Sequence, residues 1–384
     1  MTDALVQDKF IWVLGRVHDQ LGGPARTITG YIRGLKQHGR EVALYGIGEH
    51  QSLVANFSEA GVDTFGALTG SRLQQFIGLN TMYSQAATRG ATVVVVGVWH
   101  LSFFVIAMRH GLARLRRNKQ TVRVLLVPTM SLSAYDWAKH RFVKLGLRPL
   151  VAWLLQGLDG VVFASTGELA LSSPRSWRGS EVVMHPTTAN IGERIERSEA
   201  RYDVAFVGRI DPQKDLPLLF RGLAACARRH TLVVVGDGRV DYVSELQNLV
   251  RELGLEDQVS WLGWKSHSDA LAVVRESKVV AVTSVVENFC HVALEAIANE
   301  AELVLVDRVM SSADFKKHAG VKVVPPTAED VGSAITFCLQ DWSDRVSQRR
   351  VDAEQISAIC SPQNAAQRLI DFASTVRTNS VSCR

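Results

Sequence analysis

An α/β chain built of two Rossmann-like halves is the fold class that the sequence predicts, and three observations predict it. Short apolar runs without two-residue alternation recur along the chain, and longer amphipathic segments separate them. The pattern fades after residue 165 and restarts near residue 204. A chain of 384 residues exceeds one ordinary core, and 47% hydrophobic against 21% charged residues can fill two.

In the first half, Phe10 to Leu14, Glu41 to Ile47, Thr92 to Gly97, Thr121 to Val127 and Gly160 to Ala164 read as buried strands rich in Val, Ile and Leu. Amphipathic segments such as Ala25 to His38 and Ser71 to Thr88 read as the helices between them, so the order implies a parallel sheet covered on both faces. Residues 165 to 200 carry fewer periodic patterns, and the polar, glutamate-rich Ala189 to Ala200 reads as a linker. The second half reads as six strands: Val204 to Val207, Thr231 to Val235, Val259 to Leu262, Val279 to Val282, Leu303 to Val306 and Val321 to Val324. Helices are expected to begin near Leu216, Tyr242, Ser268, His291, Ser311 and Ala328.

Composition narrows the function classes. The five cysteines, Cys226, Cys290, Cys338, Cys360 and Cys383, form no CxxC pair, which argues against a zinc site or disulfide framework and for a reducing cytoplasm. Asp3 and Asp8 before the first apolar run argue against a secretory signal, and no apolar stretch reaches membrane-spanning length. The net charge of +5 is uneven: residues 101 to 150 hold ten Lys and Arg against Asp136 alone, or +9, leaving about −4 elsewhere. Large apolar residues interleave with these charges, among them Phe103, Leu112, Leu115, Trp137, Phe142 and Leu145, a composition suited either to a core stripe with a solvated face or to an anionic membrane surface. No nucleic-acid reader motif accompanies the charge, so nucleic acid is not expected as a partner.

The candidate site residues follow strand ends. Glu287 and Glu295, with seven residues between them, span a strand end, a loop and a helix start, the place where open α/β sheets bind ligands. Two such carboxylates can accept hydrogen bonds from two hydroxyl-bearing parts of one ligand. Arg209 and Lys214 follow the strand ending at Val207, where one brings a planar fork and the other a point charge to phosphate oxygens. Gly236 and Gly238 end the next strand, where glycine permits a tight turn or close approach to a ligand, and no third glycine completes a dinucleotide fingerprint. Gly263 and Trp264 follow the third strand, and Trp264 is either packing or a stacking platform. Gly22 and Gly23 open the first helix, and His100 ends the strand from Thr92.

Together, Gly22-Gly23-Pro24, Val207-Gly208-Arg209 with Lys214, Gly236-Asp237-Gly238, Trp261-Leu262-Gly263 and the Glu287 to Glu295 motif resemble the retaining GT-B glycosyltransferases of family 4, over most of the chain. The Glu-Asn-Phe variant at residues 287 to 289 is similar to members that build bacterial exopolysaccharide or O-antigen. The resemblance implies two Rossmann-like domains facing across a cleft: residues 1–190 on the acceptor side, 200–360 binding the nucleotide-sugar, and 361–384 as a helix crossing back to the first domain, over about 363 to 376, with a frayed tail. It places Arg209 and Lys214 on the donor diphosphate, Glu287 on the donor sugar and Glu295 on the ribose, the backbone of Phe289 and Cys290 by phosphate or sugar oxygens, Gly263 and Trp264 near the base, and Gly22 and Gly23 beside the diphosphate and acceptor.

What the resemblance implies in function is a retaining, metal-independent hexosyltransferase, moving sugar from a UDP- or GDP-sugar to a glycan or lipid-linked acceptor in surface polysaccharide synthesis, cytoplasmic or peripheral on the inner membrane face. No cofactor beyond the nucleotide-sugar substrate is implied. Alternatives are an inactive GT-B module that binds glycan or nucleotide, and another GT-B enzyme such as a nucleotide-sugar epimerase or a phosphorylase. Three departures stand out: Cys290 where the family has glycine, Thr129 where many relatives have a histidine or basic group, and Asn299-Glu300-Ala301-Glu302 where the family has a Cys-Gly-x-Pro turn.

Overall fold

The computed structural model describes residues 9–16, 22–47, 57–116, 122–187 and 199–382. Most of the expected linker and Cys383 lie outside them. The chain divides into two units, residues 1–190 with 360–384, and residues 191–359.

Unit 1 holds β1 (Phe10–Arg16), α1 (Gly22–Gln37), β2 (Val42–Ile47), β3 (Thr64–Leu68), α2 (Arg72–Arg89), β4 (Thr92–Val96), α3 (Leu101–Leu115), β5 (Arg123–Val127), α4 (Ala134–Ala138), α5 (Arg141–Gln156), β6 (Gly160–Phe163), α6 (Thr166–Leu171) and β7 (Ser180–Val183). The strands form one parallel sheet in the order β3-β2-β1-β4-β5-β6-β7. Both faces are buried, and β1 shows how: Ile11 and Val13 pack on α2, α3 and α5, whereas Phe10, Trp12 and Leu14 pack under α1 and the last helix.

Unit 2 runs β8 (Tyr202–Val207), α7 (Leu216–Ala224), β9 (Leu232–Val235), α8 (Val240–Glu252), β10 (Val259–Gly263), α9 (His267–Arg275), β11 (Ser277–Val282), α10 (His291–Ala298), β12 (Glu302–Val306), α11 (Ser312–Phe315), β13 (Val321–Val324), α12 (Ala328–Leu339) and α13 (Val346–Cys360). Its sheet is parallel in the order β10-β9-β8-β11-β12-β13, a doubly wound order that reverses between β8 and β11.

The last helix, α14 (Pro362–Ser382), belongs to unit 1. Ala365, Ala366, Leu369, Ile370, Ala373 and Val376 form its buried stripe, and Gly34 of α1 leaves room for it, since a Cβ at Gly34 would lie 1.9 Å from Pro362 O. Where a frayed tail was expected, the helix continues to Ser382.

The apolar runs become strands with ends shifted by one or two residues. Two strands went unread. β3 is half exposed and β7 (Ser180–Val183) is short and polar, so neither shows the continuous apolar run of a buried strand. Both lie at the sheet edges, and β7 falls in the segment that lacked periodicity. Among the described residues, no helix is long and apolar enough to cross a membrane.

Candidate functional site

The strand order of the second sheet reverses between β8 and β11, so the connections leaving these two strands run to opposite faces of the sheet, and the carboxyl ends at such a switch point are where open α/β sheets bind ligands in a crevice. After β8, Asp211 Oδ1 accepts from Gln213 N at 3.0 Å and Pro212 enters a single turn of 3-10 helix ending at Lys214. Asp215 then takes φ 49° and caps α7. The loop after β11 is fastened to this turn. Val285 N donates to Gln213 O at 2.8 Å, Gln213 Nε2 donates to Val286 O at 2.8 Å, and Thr283 Oγ1 donates to the carbonyls of Lys214 and Asp215 at 3.1 and 3.0 Å. Sequence reading passed over Gln213 and Thr283, which have no chemistry of their own and matter only through this lacing.

Lys214 and Glu287 meet across the laced loops as an ion pair, each side chain about four-fifths buried. Burial alone would lower the Lys214 ammonium, but the Glu287 carboxylate outweighs it, with Cys290 and Asp211 adding, and the net shift is upward. Lys214 is therefore a fixed cation. Arg209 differs: its side chain is 71% exposed, with Nη2 3.2 Å from Asp211 Oδ2, so it can swing to a ligand. Arg308, which sequence reading missed, stands 3.7 Å from Asp215 Oδ2 in the loop after β12.

The Glu287 backbone is held from the other side, where Met310 N donates to Glu287 O at 3.0 Å and Ser311 Oγ to Phe289 O at 2.8 Å. Phe289 points its ring into the core, 5.2 Å from Phe315, so only its backbone is available to a ligand. Cys290 precedes α10 with φ 56°, a left-handed conformation that explains why glycine is the natural residue there. Its thiol is pushed up to about 12, first by burial and then by Glu287, and so carries no nucleophilic thiolate at neutral pH. Lys214 and Glu295 also act on this thiol, so both lie within electrostatic reach of Cys290. Glu295, 6% exposed on α10, has His267 Nε2 3.7 Å from its Oε1, a neighbour that sequence reading did not single out.

Gly236 and Gly238 are required by a close approach of two backbones. A Cβ at Gly236 (φ 146°) would lie 1.8 Å from Gly208 O, and one at Gly238 2.1 Å from Ile210 O. Gly236 N in turn donates to Gly263 O at 2.9 Å, so the ends of β8, β9 and β10 are tied together. Gly263 adopts φ 66°, and the next residue, Trp264, is 73% exposed. Trp264 is not packing.

In unit 1, Gly22 and Gly23 form the first turn of α1. His100 caps α3 through Nδ1, which accepts from Phe103 N at 3.4 Å, while Nε2 donates to Val96 O at 2.5 Å. Burial lowers its pKa, against the backbone bonds to Val96 and Gly97. Both nitrogens are thus engaged in structure. Thr129 and Met130 both take positive φ at the end of β5, held by the buried Glu168, which accepts from Met130 N at 2.5 Å and Ala164 N at 2.7 Å. The third departure is structural as well. Glu300 sits at φ 59° where the family has glycine, and Glu302 is buried against Arg345 at 2.8 Å and Arg349 at 3.4 Å.

Residues 189–354 match the model of the family described as glycosyl transferases group 1. An uncharacterized glycosyltransferase of Methanocaldococcus jannaschii is 31% identical over 144 residues, 37% of this chain and 37% of that protein. A Salinispora tropica D-inositol 3-phosphate glycosyltransferase is 37% identical over 115 residues, covering 27% of this chain and 24% of the relative. The Campylobacter jejuni N-acetylgalactosamine-N,N'-diacetylbacillosaminyl-diphospho-undecaprenol 4-alpha-N-acetylgalactosaminyltransferase is 32% identical over 202 residues, 51% of this chain and 53% of its own. The matched part thus spans from about a quarter to about half of the length of these curated relatives.

Among solved structures, Anabaena HepE in complex with UDP superposes with a TM-score of 0.75 at 16% identity, covering 95% of this chain and 99% of that one. The lipopolysaccharide outer core galactosyltransferase WaaB superposes at 0.69 and 16% identity, over 96% and 99%. At such identities the likeness bears on the fold, and with two parallel, doubly wound sheets that fold is GT-B.

Proposed function

We propose that this chain is a retaining glycosyltransferase of family 4 that moves a sugar from a UDP- or GDP-sugar to a glycan or lipid-linked acceptor in surface polysaccharide synthesis. The observation that carries the reading is the Lys214–Glu287 pair at the switch point of the second sheet, with exposed Arg209 on the same loop as Lys214 and Glu295 on the following helix. The family match over this unit supports it, as does the UDP bound by HepE. The diphospho-undecaprenol in the name of the Campylobacter relative supports a lipid-linked acceptor.

When the bond from the anomeric carbon to the diphosphate breaks, the bonding electrons stay on the phosphate oxygen. Lys214 and Arg209 stabilise that growing charge, a term worth about 3 kcal/mol for a well-placed donor. Glu287 accepts hydrogen bonds from hydroxyls of the donor sugar and Glu295 from those of the ribose. The acceptor hydroxyl attacks on the face the diphosphate leaves, and the departing phosphate oxygen takes its proton, so the anomeric configuration is kept. Two cations on the diphosphate can do the work of a divalent ion, which makes transfer metal-independent.

A thermal-shift screen of UDP, GDP and their sugars, followed by product analysis with and without acceptor, tests the reading. Stabilisation by a nucleotide and transfer with retained configuration in the presence of chelator are expected. Nucleotide binding without any turnover on a panel of acceptors would make the chain a binding module, and conversion of the donor sugar without acceptor would make it an epimerase.

A further inference from the structure

Helix α5 is apolar on two opposite sides, and the described residues cover only one of them. At 100° per residue, Phe142, Leu145, Pro149 and Trp153 lie along one line, and all four are exposed, Phe142 to 90%. On the other side Val151, Leu154 and Leu155 are buried in the unit 1 core. A helix apolar all round is ordinarily enclosed all round, and the outer stripe has no such cover among the described residues. The adjoining α3, which packs on α5, extends the apolar surface with exposed Met108, Leu112 and Leu115. Patches of this kind mark interaction sites.

Charge selects the occupant. Lys139, Arg141 and Arg148 are exposed on and just before α5. The one acid between residues 101 and 156, Asp136, is held by buried Lys144, with Nζ 2.7 Å from Oδ2. The apolar stripe is therefore rimmed by cations with no open carboxylate in this stretch of chain. A second copy docking through the same stripe would set like charges against each other, whereas an anionic lipid headgroup layer accepts the cations and lets the aromatic side chains enter the acyl boundary. The charges first read as the basic surface fit less well, since Arg123 is buried on Ala373 O at 3.0 Å and Arg114 Nη1 holds Asp159 at 3.1 Å.

We propose that α5 is an interfacial anchor, lying on anionic lipid with Phe142, Leu145 and Trp153 in the boundary layer and Lys139, Arg141 and Arg148 against phosphates. The anchor lies within unit 1 and stands whether or not unit 2 transfers sugar.

Flotation of the full chain with vesicles of phosphatidylcholine, alone or mixed with phosphatidylglycerol, tests it. The wild type should float with the anionic vesicles, less so in high salt, and weakly with neutral ones. Phe142→Ser with Trp153→Ser should lower partition about tenfold while melting temperature and nucleotide-induced thermal shift stay unchanged. Lys139→Gln with Arg141→Gln should lower it too and flatten its salt dependence. Failure of the wild type to float, or unchanged flotation of both double variants, overturns the anchor. Light scattering that shows a dimer broken by the Phe142/Trp153 variant would instead assign the stripe to a second copy.

Discussion

Lys214 and Glu287 lie 73 positions apart and meet as an ion pair where β8 and β11 end side by side. The pair keeps a mostly buried cation in place, so the diphosphate of the proposed donor would find its countercharge already oriented. It must then share that charge with Glu287. Replacing Glu287 by Gln should leave UDP affinity intact or higher while sugar transfer falls, which titration calorimetry and a transfer assay separate. Its removal also leaves the Lys214 charge without its main partner, so melting temperature should drop.

Lys214→Ala and Glu295→Ala should each reduce transfer about a hundredfold with circular dichroism unchanged. Arg209→Lys should be costly as well, because a planar fork becomes a point charge. Near-normal turnover in all three variants would refute the assignment of the crevice.

Gly236→Ala should destabilise unit 2 by about 3 kcal/mol or more, because its Cβ would collide with Gly208 O at 1.8 Å. Denaturant unfolding of the variant measures this. A harmless alanine would mean that the loops after β8 and β9 are farther apart.

Glu300→Gly should stabilise the protein by about 1 kcal/mol. The residue holds φ 59°, and the ion pair it gives up, to Arg350 at 3.8 Å, is long and partly exposed. A lowered melting temperature would contradict this.

His100 makes stability fall on mild acidification. Burial holds its folded pKa below the ordinary value of 6.5, so the unfolded chain binds the proton more readily. The contribution is fully present above about pH 6.5 and is lost as pH falls from there toward the depressed folded value. Calorimetry across that range should show a steeper fall for wild type than for His100→Gln.

The fold was legible wherever burial on both faces forced an unbroken apolar run, as in β4, β9 and β11. It was hidden where an element needs no such run: β7 is four residues, Ser180 to Val183, half exposed at a sheet edge. The site was legible as an order of motifs and not as contacts. Gly236 and Gly238 invite a ligand explanation, yet the reason for both is the carbonyls of Gly208 and Ile210, which no local pattern reveals. Trp264 is ambiguous until its exposure is known. Gln213 looks like a surface residue, and its two hydrogen bonds to residues 285 and 286 are a product of tertiary structure alone.

The placement of α14 on α1 bears on how the chain is made. One face of the unit 1 sheet, including Phe10, Trp12 and Leu14, is covered by α1 together with residues 365 to 376, whereas unit 2 is continuous in sequence from 191 to 359. During synthesis the second unit can fold as soon as it leaves the ribosome. The first must wait with one face of its sheet only partly covered until residues 365 to 376 have been made. The half begun first is thus completed only after unit 2 has been made, and a ribosome stalled before residue 362 would leave a nascent chain whose Phe10, Trp12 and Leu14 cluster lacks part of its cover and is open to chaperones and proteases.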